Sequence, residues 1–157
     1  MKTFDNLKEE IKRIKALDVE GFDSEWVLSK FARDQALINI HLIKPYTDKY
    51  SLIVRFLVTG KDAAAAADVY FDTAAASTYA VSYAAAAADS AAYYAAYAAY
   101  YSTHDSAADS AADSAADSAA DSAAAATHTH AATDYTKSIE SLNTLANEYL
   151  ALLTGRM

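Results

Sequence analysis

The sequence predicts an all-α fold, a single-domain antiparallel helical bundle whose alanine-rich helices pack closely. Three observations predict it. Alanine fills 34 of residues 63–132, and alanine is the strongest helix former because it loses no side-chain entropy on ordering. No Pro or Gly interrupts the chain between Lys61 and Gly155. Outside the alanine tract, apolar residues recur at spacings of three and four, the period of one helix face. At 157 residues the chain can bury a continuous core without metals or disulfides. One domain over 1–157 is expected, with mixed-charge helices in 1–61, Ala/Tyr/Asp-rich helices in 62–130 and a C-terminal helix in 131–157.

Phe4, Leu7, Ile11, Ile14 and Leu17 alternate spacings of three and four, with Lys8, Glu9, Glu10, Lys12 and Arg13 between them, so the first element is an amphipathic helix. After Gly21, Asp23-Ser24 offers an N-cap. Trp26, Val27, Phe31, Leu37 and Ile38 then mark a second helix, in which Trp26 reads as a core residue. That helix must finish before Pro45, because the residue preceding a proline is pushed away from helical dihedrals. Ile38-Asn-Ile40-His-Leu42 alternates like a strand, which leaves 38–43 open between helix and strand. Thr47 is a candidate cap for a third helix through Leu52, Ile53, Phe56 and Leu57 to Gly60, placed for a left-handed C-terminal cap. The β-branched content of 50–58 keeps a strand open there too.

From Asp62 onward helix is expected, with breaks near Ser102-Thr103-His104 and Ala126-Thr-His-Thr-His130, where hydroxyl and imidazole groups can cap. A last helix from about Thr133 carries Ile139, Leu142, Leu145, Ala146, Tyr149 and Leu153 and stops at Gly155. Within the tract, Tyr79, Tyr83, Tyr93, Tyr94, Tyr97, Tyr100 and Tyr101 fall in an arc of roughly 120° if one helix spans them. Such a stripe packs against a neighbouring helix with its hydroxyls near polar groups, or serves as an interface.

The most regular segment is Asp105-Ser-Ala-Ala-Asp109-Ser-Ala-Ala-Asp113-Ser-Ala-Ala-Asp117-Ser-Ala-Ala-Asp121. Its four-residue period overshoots a helical turn by about 40° per repeat, so each stripe drifts around the helix. Small side chains at i and i+4 let backbones approach closely. The expectation is an alanine face docked on a neighbour, with Asp and Ser outward. Like charges at i, i+4 cost a few tenths of a kcal/mol per pair, on the order of 1 kcal/mol in all, which the alanines easily cover. The repeat therefore persists with or without a function, including by repeat slippage.

The formal net charge is −8, and all of the excess sits in residues 62–136, where 10 Asp stand without one Lys or Arg. Such a segment repels phosphate backbones and attracts basic proteins, so direct nucleic-acid binding is not expected and a partner with a basic surface is. There is no Cys, so thiolate metal sites and disulfides are excluded. His104-Asp105 and His128-Thr-His130 with Asp134 are metal-ligand residue types at a spacing better read as capping. No P-loop, dinucleotide fingerprint, nucleophile elbow or HExxH pattern occurs. Residues 62–136 hold no cation or glycine loop to stabilise developing charge. The expectation is a non-enzyme without metal or cofactor. No stretch approaches the roughly 18 apolar residues of a membrane span and no apolar h-region follows Met1, so a soluble, cytoplasmic protein is expected.

The order of features is suggestive: a helical N-terminal part, Lys44-Pro-Tyr-Thr-Asp-Lys-Tyr50, a helix ending at Gly60-Lys61, Ala-rich segments punctuated by Tyr, Ser and Asp, and Leu142-Asn-Thr-Leu-Ala-Asn-Glu-Tyr149-Leu150. Over about residues 40–152 this resembles the alanine-rich immunity proteins of bacterial toxin systems, the immunity protein 5 family. The resemblance implies an all-helical, non-enzymatic protein that neutralises a cognate toxin by stoichiometric binding; it carries over no functional residues. This chain departs from the family in lacking Arg among its alanines.

The expected function is thus binding of a protein partner, a toxin or a defence factor, through Asp105, Asp109, Asp113, Asp117 and Asp121 with Tyr97 and Tyr101 beside them. Three readings stay open: an acidic nucleic-acid mimic or phage-encoded anti-defence inhibitor, a small-molecule binder with a Tyr-lined pocket, and a purely structural helical module. Homo-oligomerisation is open as well.

Overall fold

The computed structural model describes residues 2–63, 66, 82–91, 106–127 and 134–155, with side chains from Ala112 to Ala125 in the fourth of these segments. The chain is an all-α, single-domain helical bundle, and no strand occurs among the described residues. Helix α1 spans Phe4–Lys15, α2 Ser24–Asn39, α3 Tyr50–Thr59, α4 residues 82–91, α5 Ser106–Thr127 and α6 Thr136–Thr154, with a 3-10 helix over Ile40–Tyr46.

Helix α1 starts from a capping box in which the Thr3 hydroxyl accepts from the Asn6 N–H and the Asn6 side chain accepts from the Thr3 N–H. It buries Leu7, Ile11 and Ile14, the stripe predicted from its spacing. Helix α2 is capped by Asp23, whose Oδ1 accepts from the Trp26 N–H at 3.1 Å. It ends at Asn39, and the chain tightens into the 3-10 helix that contains Pro45. That change of helix type explains the strand-like alternation: Ile40 and Ile43 are buried while Ile38 is 57 % exposed, so Ile38 does not belong to the core stripe. Residues 50–58 are helical too. The Thr47 hydroxyl accepts from the Lys49 N–H at 3.1 Å, a turn just before α3, while the cap position belongs to Lys49 and lacks a side-chain bond. The capping role expected of Thr47 is therefore displaced by two residues.

Gly60 closes α3 in the left-handed conformation at φ 76°. The buried Arg33 of α2 lies against it, donating from Nη1 to the Leu57 and Val58 carbonyls, which the end of α3 leaves without helical partners. A Cβ at residue 60 would stand 3.1 Å from Arg33 Cζ, so conformation and space both select glycine there.

Two apolar clusters lie along α2. Its N-terminal half, with Val27, Leu28 and Phe31, packs with Leu7, Ile11 and Ile14 of α1, Ala115 and Ala119 of α5, Tyr135, and Leu142 and Ala146 of α6. Its C-terminal half, with Ala32 and Ala36, packs with Ile40, Ile43, Ile53, Phe56, Leu57, the alanines of α4 and Ala125. Large side chains come from the N-terminal helices and small ones from α4 and α5. Burial of each large aliphatic side chain contributes about 1.5–3 kcal/mol.

Helix α6 begins three residues later than expected, because Asp134 acts ahead of it. Its Oδ1 accepts from the Thr136 hydroxyl and N–H and from the Lys2 N–H, while the Tyr135 N–H donates to the Lys2 carbonyl. These donors, the Thr136 hydroxyl foremost, pull the Asp134 carboxyl down from the usual 3.8 to about 2. A carboxyl lowered in the folded state stabilises above its unfolded pKa, and that contribution disappears as the pH falls through the folded value. Urea unfolding between pH 6 and pH 2 is expected to show wild type more stable than Asp134→Ala at the upper end. The difference should close between about pH 4 and pH 2; a pH-independent difference would contradict this tether between the N-terminus and α6.

Candidate functional site

The Asp-Ser-Ala-Ala repeat forms α5, and its two polar rows, about 100° apart around the helix, differ in burial. Asp113 and Asp117 are exposed and Asp121 is half-buried, whereas Ser114, Ser118 and Ser122 are buried. The expectation that Asp and Ser share an outward face is thus overturned for serine. Ser118 Oγ donates to the Ala32 carbonyl of α2 at 2.6 Å, and Ser114 Oγ to the Ser90 carbonyl of α4 at 2.7 Å. Asn39 Nδ2 donates to the Ser122 carbonyl at 2.6 Å. Serine is scarcely larger than alanine, so a serine row at i, i+4 fills the groove of a neighbouring helix as alanine would, and its hydroxyl finds a carbonyl there.

The drift of the repeat is visible in burial. Going from Asp113 to residue 125 advances three repeats, about 120°, onto the bearing of the buried Ser114 and Ser118. Aspartate accordingly moves from exposed at 113 and 117 to half-buried at 121, and the next position in register is Ala125, 3 % exposed. The repeat drops its aspartate where the rotation would bury it.

Of the residues expected to form the contact face, Asp113, Asp117 and Asp121 lie in sequence along one side of α5. Asp109 belongs to the same helix by its backbone, and Asp105, Tyr97 and Tyr101 lie outside the described residues. Burial first, and then the charge of Asp113, push the Asp117 carboxyl up. The row does not stand alone. Across a groove of about 480 Å³, Lys8, Lys12 and Lys15 of α1 face Asp113, with Ile11, Ala112 and Ala116 on the walls. The base-free stretch of sequence therefore acquires cations from a distant segment. The spacing of Lys8, Lys12 and Lys15 at i, i+4 and i+7 marks one face of α1, but nothing local pairs that face with α5.

Tyr83, the described member of the tyrosine stripe, is half-buried against the second cluster. Its other members, like His104, His128 and His130, lie outside the described residues. Among the described residues no group of three His, Asp or Glu stands close enough to hold a metal ion, and no helix is long and apolar enough to cross a membrane.

A second surface lies apart from the expected contact face. Trp26, expected in the core, is 45 % exposed. It sits in the first turn of α2, one residue off the Val27 and Phe31 stripe, and a step of about 100° turns its ring away from the core. The ring packs on Tyr149 of α6 at 5.3 Å between centroids, and Phe22 meets the same tyrosine edge-on at 5.3 Å. The Tyr149 hydroxyl donates to the Gly21 carbonyl at 3.3 Å, and Leu153 closes over Gly21. Val19, in the turn before Phe22, and Leu152 and Leu153, in the last turn of α6, are 41 %, 64 % and 41 % exposed. Tyr149, Leu152 and Leu153 stand at i, i+3 and i+4, on one face of α6. The signal was present in Trp26 standing off the stripe and in the acid-rich Asp18-Val-Glu-Gly-Phe-Asp-Ser-Glu25 beside it. Compared with protein-family models, curated proteins and solved structures, the chain matches none.

Proposed function

We propose that the chain is a non-enzymatic helical protein that neutralises a protein partner, a toxin or a defence factor, by stoichiometric binding. The observation that carries this reading is the patch around Trp26, where a tryptophan 45 % exposed lies on Tyr149 beside exposed leucines. Contiguous apolar surface of this kind marks interaction sites, and tryptophan and tyrosine are the residues on which binding energy concentrates. The resemblance to alanine-rich immunity proteins points to the same class. Asp113 and Asp117 add an outward acidic element that steers a basic surface toward the bundle. Lys8, Lys12 and Lys15 beside Asp113 weigh against the nucleic-acid mimic, which needs an uninterrupted anionic track.

Affinity capture from the native host with wild-type and Trp26→Ala baits, followed by calorimetry on the captured protein, tests the reading. The expected outcome is a 1:1 complex weakened by about 2 kcal/mol, roughly thirtyfold, in Trp26→Ala. Equal affinity for both chains would remove the patch from the function.

A further inference from the structure

We infer that the Trp26 patch receives the apolar face of a basic amphipathic helix from a partner protein. The inference rests on the protein-binding reading above and adds the chemistry of the occupant. Phe22 and Trp26 meet on the Tyr149 ring and Leu153 lies over Gly21, so the loop after α1, the start of α2 and the end of α6 present one continuous apolar surface. The loop that borders it is acidic, and Lys30, one turn along α2 from Trp26, is paired with Asp34. Between Leu17 and Trp26 the chain carries Asp18, Glu20, Asp23 and Glu25 and no Lys or Arg, and Glu148 adjoins Tyr149.

Asp23 is engaged in capping α2; Asp18, Glu20 and Glu148 are exposed and Glu25 is half-buried. Burial, and then the neighbouring Asp23, push the Glu25 carboxyl up. A carboxylate in such surroundings gains from a cation placed next to it. The complement is therefore an apolar strip flanked by Lys or Arg. An added strand needs a sheet edge with open N–H and C=O groups, and the described elements are all helices, so the fitting form is a helix with anchors at i, i+3, i+4 and i+7.

Trp26 is the single tryptophan of the chain, so its fluorescence reports on the patch directly. The probe is a tryptophan-free Leu/Lys amphipathic peptide of about 18 residues, five helical turns. It is compared with a Leu/Glu peptide of the same pattern and a Ser/Lys peptide without an apolar face. The expected result is a saturable 1:1 blue shift with Leu/Lys alone. Binding should weaken at least tenfold in Leu152→Ser/Leu153→Ser and in Glu20→Gln/Glu25→Gln, and stay unchanged in Asp113→Asn/Asp117→Asn, each variant keeping its helical circular dichroism. A shift with Ser/Lys, or loss of binding in Asp113→Asn/Asp117→Asn, would show mere charge attraction and overturn the inference. Equal binding of Leu/Glu would overturn the basic partner while leaving a protein-docking patch. A blue shift on concentrating the protein without peptide would assign the patch to a second copy and overturn the inference. Failure of all peptides would overturn it too, whereas the protein-binding role of the patch falls only if a captured partner ignores Trp26→Ala.

Discussion

Ala125→Asp, which merely continues the Asp-Ser-Ala-Ala register by one repeat, is expected to destabilise the protein by about 3–5 kcal/mol at neutral pH, the cost of an uncompensated buried charge. Ala125 is 3 % exposed in the cluster with Ile40, Ile53 and Phe56. The alternative to burying the charge is to keep the carboxyl protonated, so its folded pKa rises. An acid raised in the folded state destabilises progressively as pH climbs above its unfolded value of about 3.9, and the penalty shrinks below it. Urea unfolding at pH 7 and pH 3.5 checks both the size and the sign. The outward control is Asp113→Ala, expected within about 0.5 kcal/mol of wild type, since it removes one like-charge neighbour of Asp117 and touches no core.

Ser118→Leu is expected to lower stability by about 2–3 kcal/mol or more, a fall of roughly 5–10 °C in Tm for a domain this size. Ser118 is fully buried, and its Oγ sits 2.6 Å from the α2 backbone at Ala32. A leucine can enter only by pushing α5 off α2, the pair of helices that share both clusters. Ser118→Ala keeps the close approach and loses one hydrogen bond, about 0.5–1.5 kcal/mol. Thermal unfolding of the two variants separates these causes: a leucine variant no less stable than the alanine variant would mean that the helices have room between them.

Much of this arrangement was legible in the chain. The stripe of Leu7, Ile11 and Ile14, the Asp23 cap, the Gly60 and Gly155 stops and the helical character of residues 82–91 and 106–127 are local features, decided within a few residues of themselves. What misled was equally specific. Serine is polar on any scale, so the sequence groups it with aspartate; only partners on α2 and α4 turn the row inward, carbonyl acceptors for Ser114 and Ser118 and the Asn39 amide donor for Ser122. Trp26 is the most hydrophobic-looking residue of α2, yet its rotation at the first turn places it on the rim. The groove that sets Lys8, Lys12 and Lys15 opposite Asp113 joins segments about a hundred residues apart, and no local pattern announces it. For the candidate site, therefore, the outward Asp113 and Asp117 are readable directly, and the Trp26 patch only through Trp26 standing one residue off the Val27 and Phe31 stripe.

Thiol labelling tests the different exposure of the two rows most directly, because the chain has no native cysteine. Single substitutions Asp117→Cys and Ser118→Cys are one residue apart on α5, and the second is close to isosteric. Under native conditions the Asp117→Cys thiol should react with a soluble disulfide reagent near the rate of a free thiol, and the Ser118→Cys thiol at least a hundredfold more slowly, about 2.7 kcal/mol of protection against opening. Equal rates at the two positions would mean that α5 does not present its aspartates to water and its serines to α2, and the account of the repeat would be wrong.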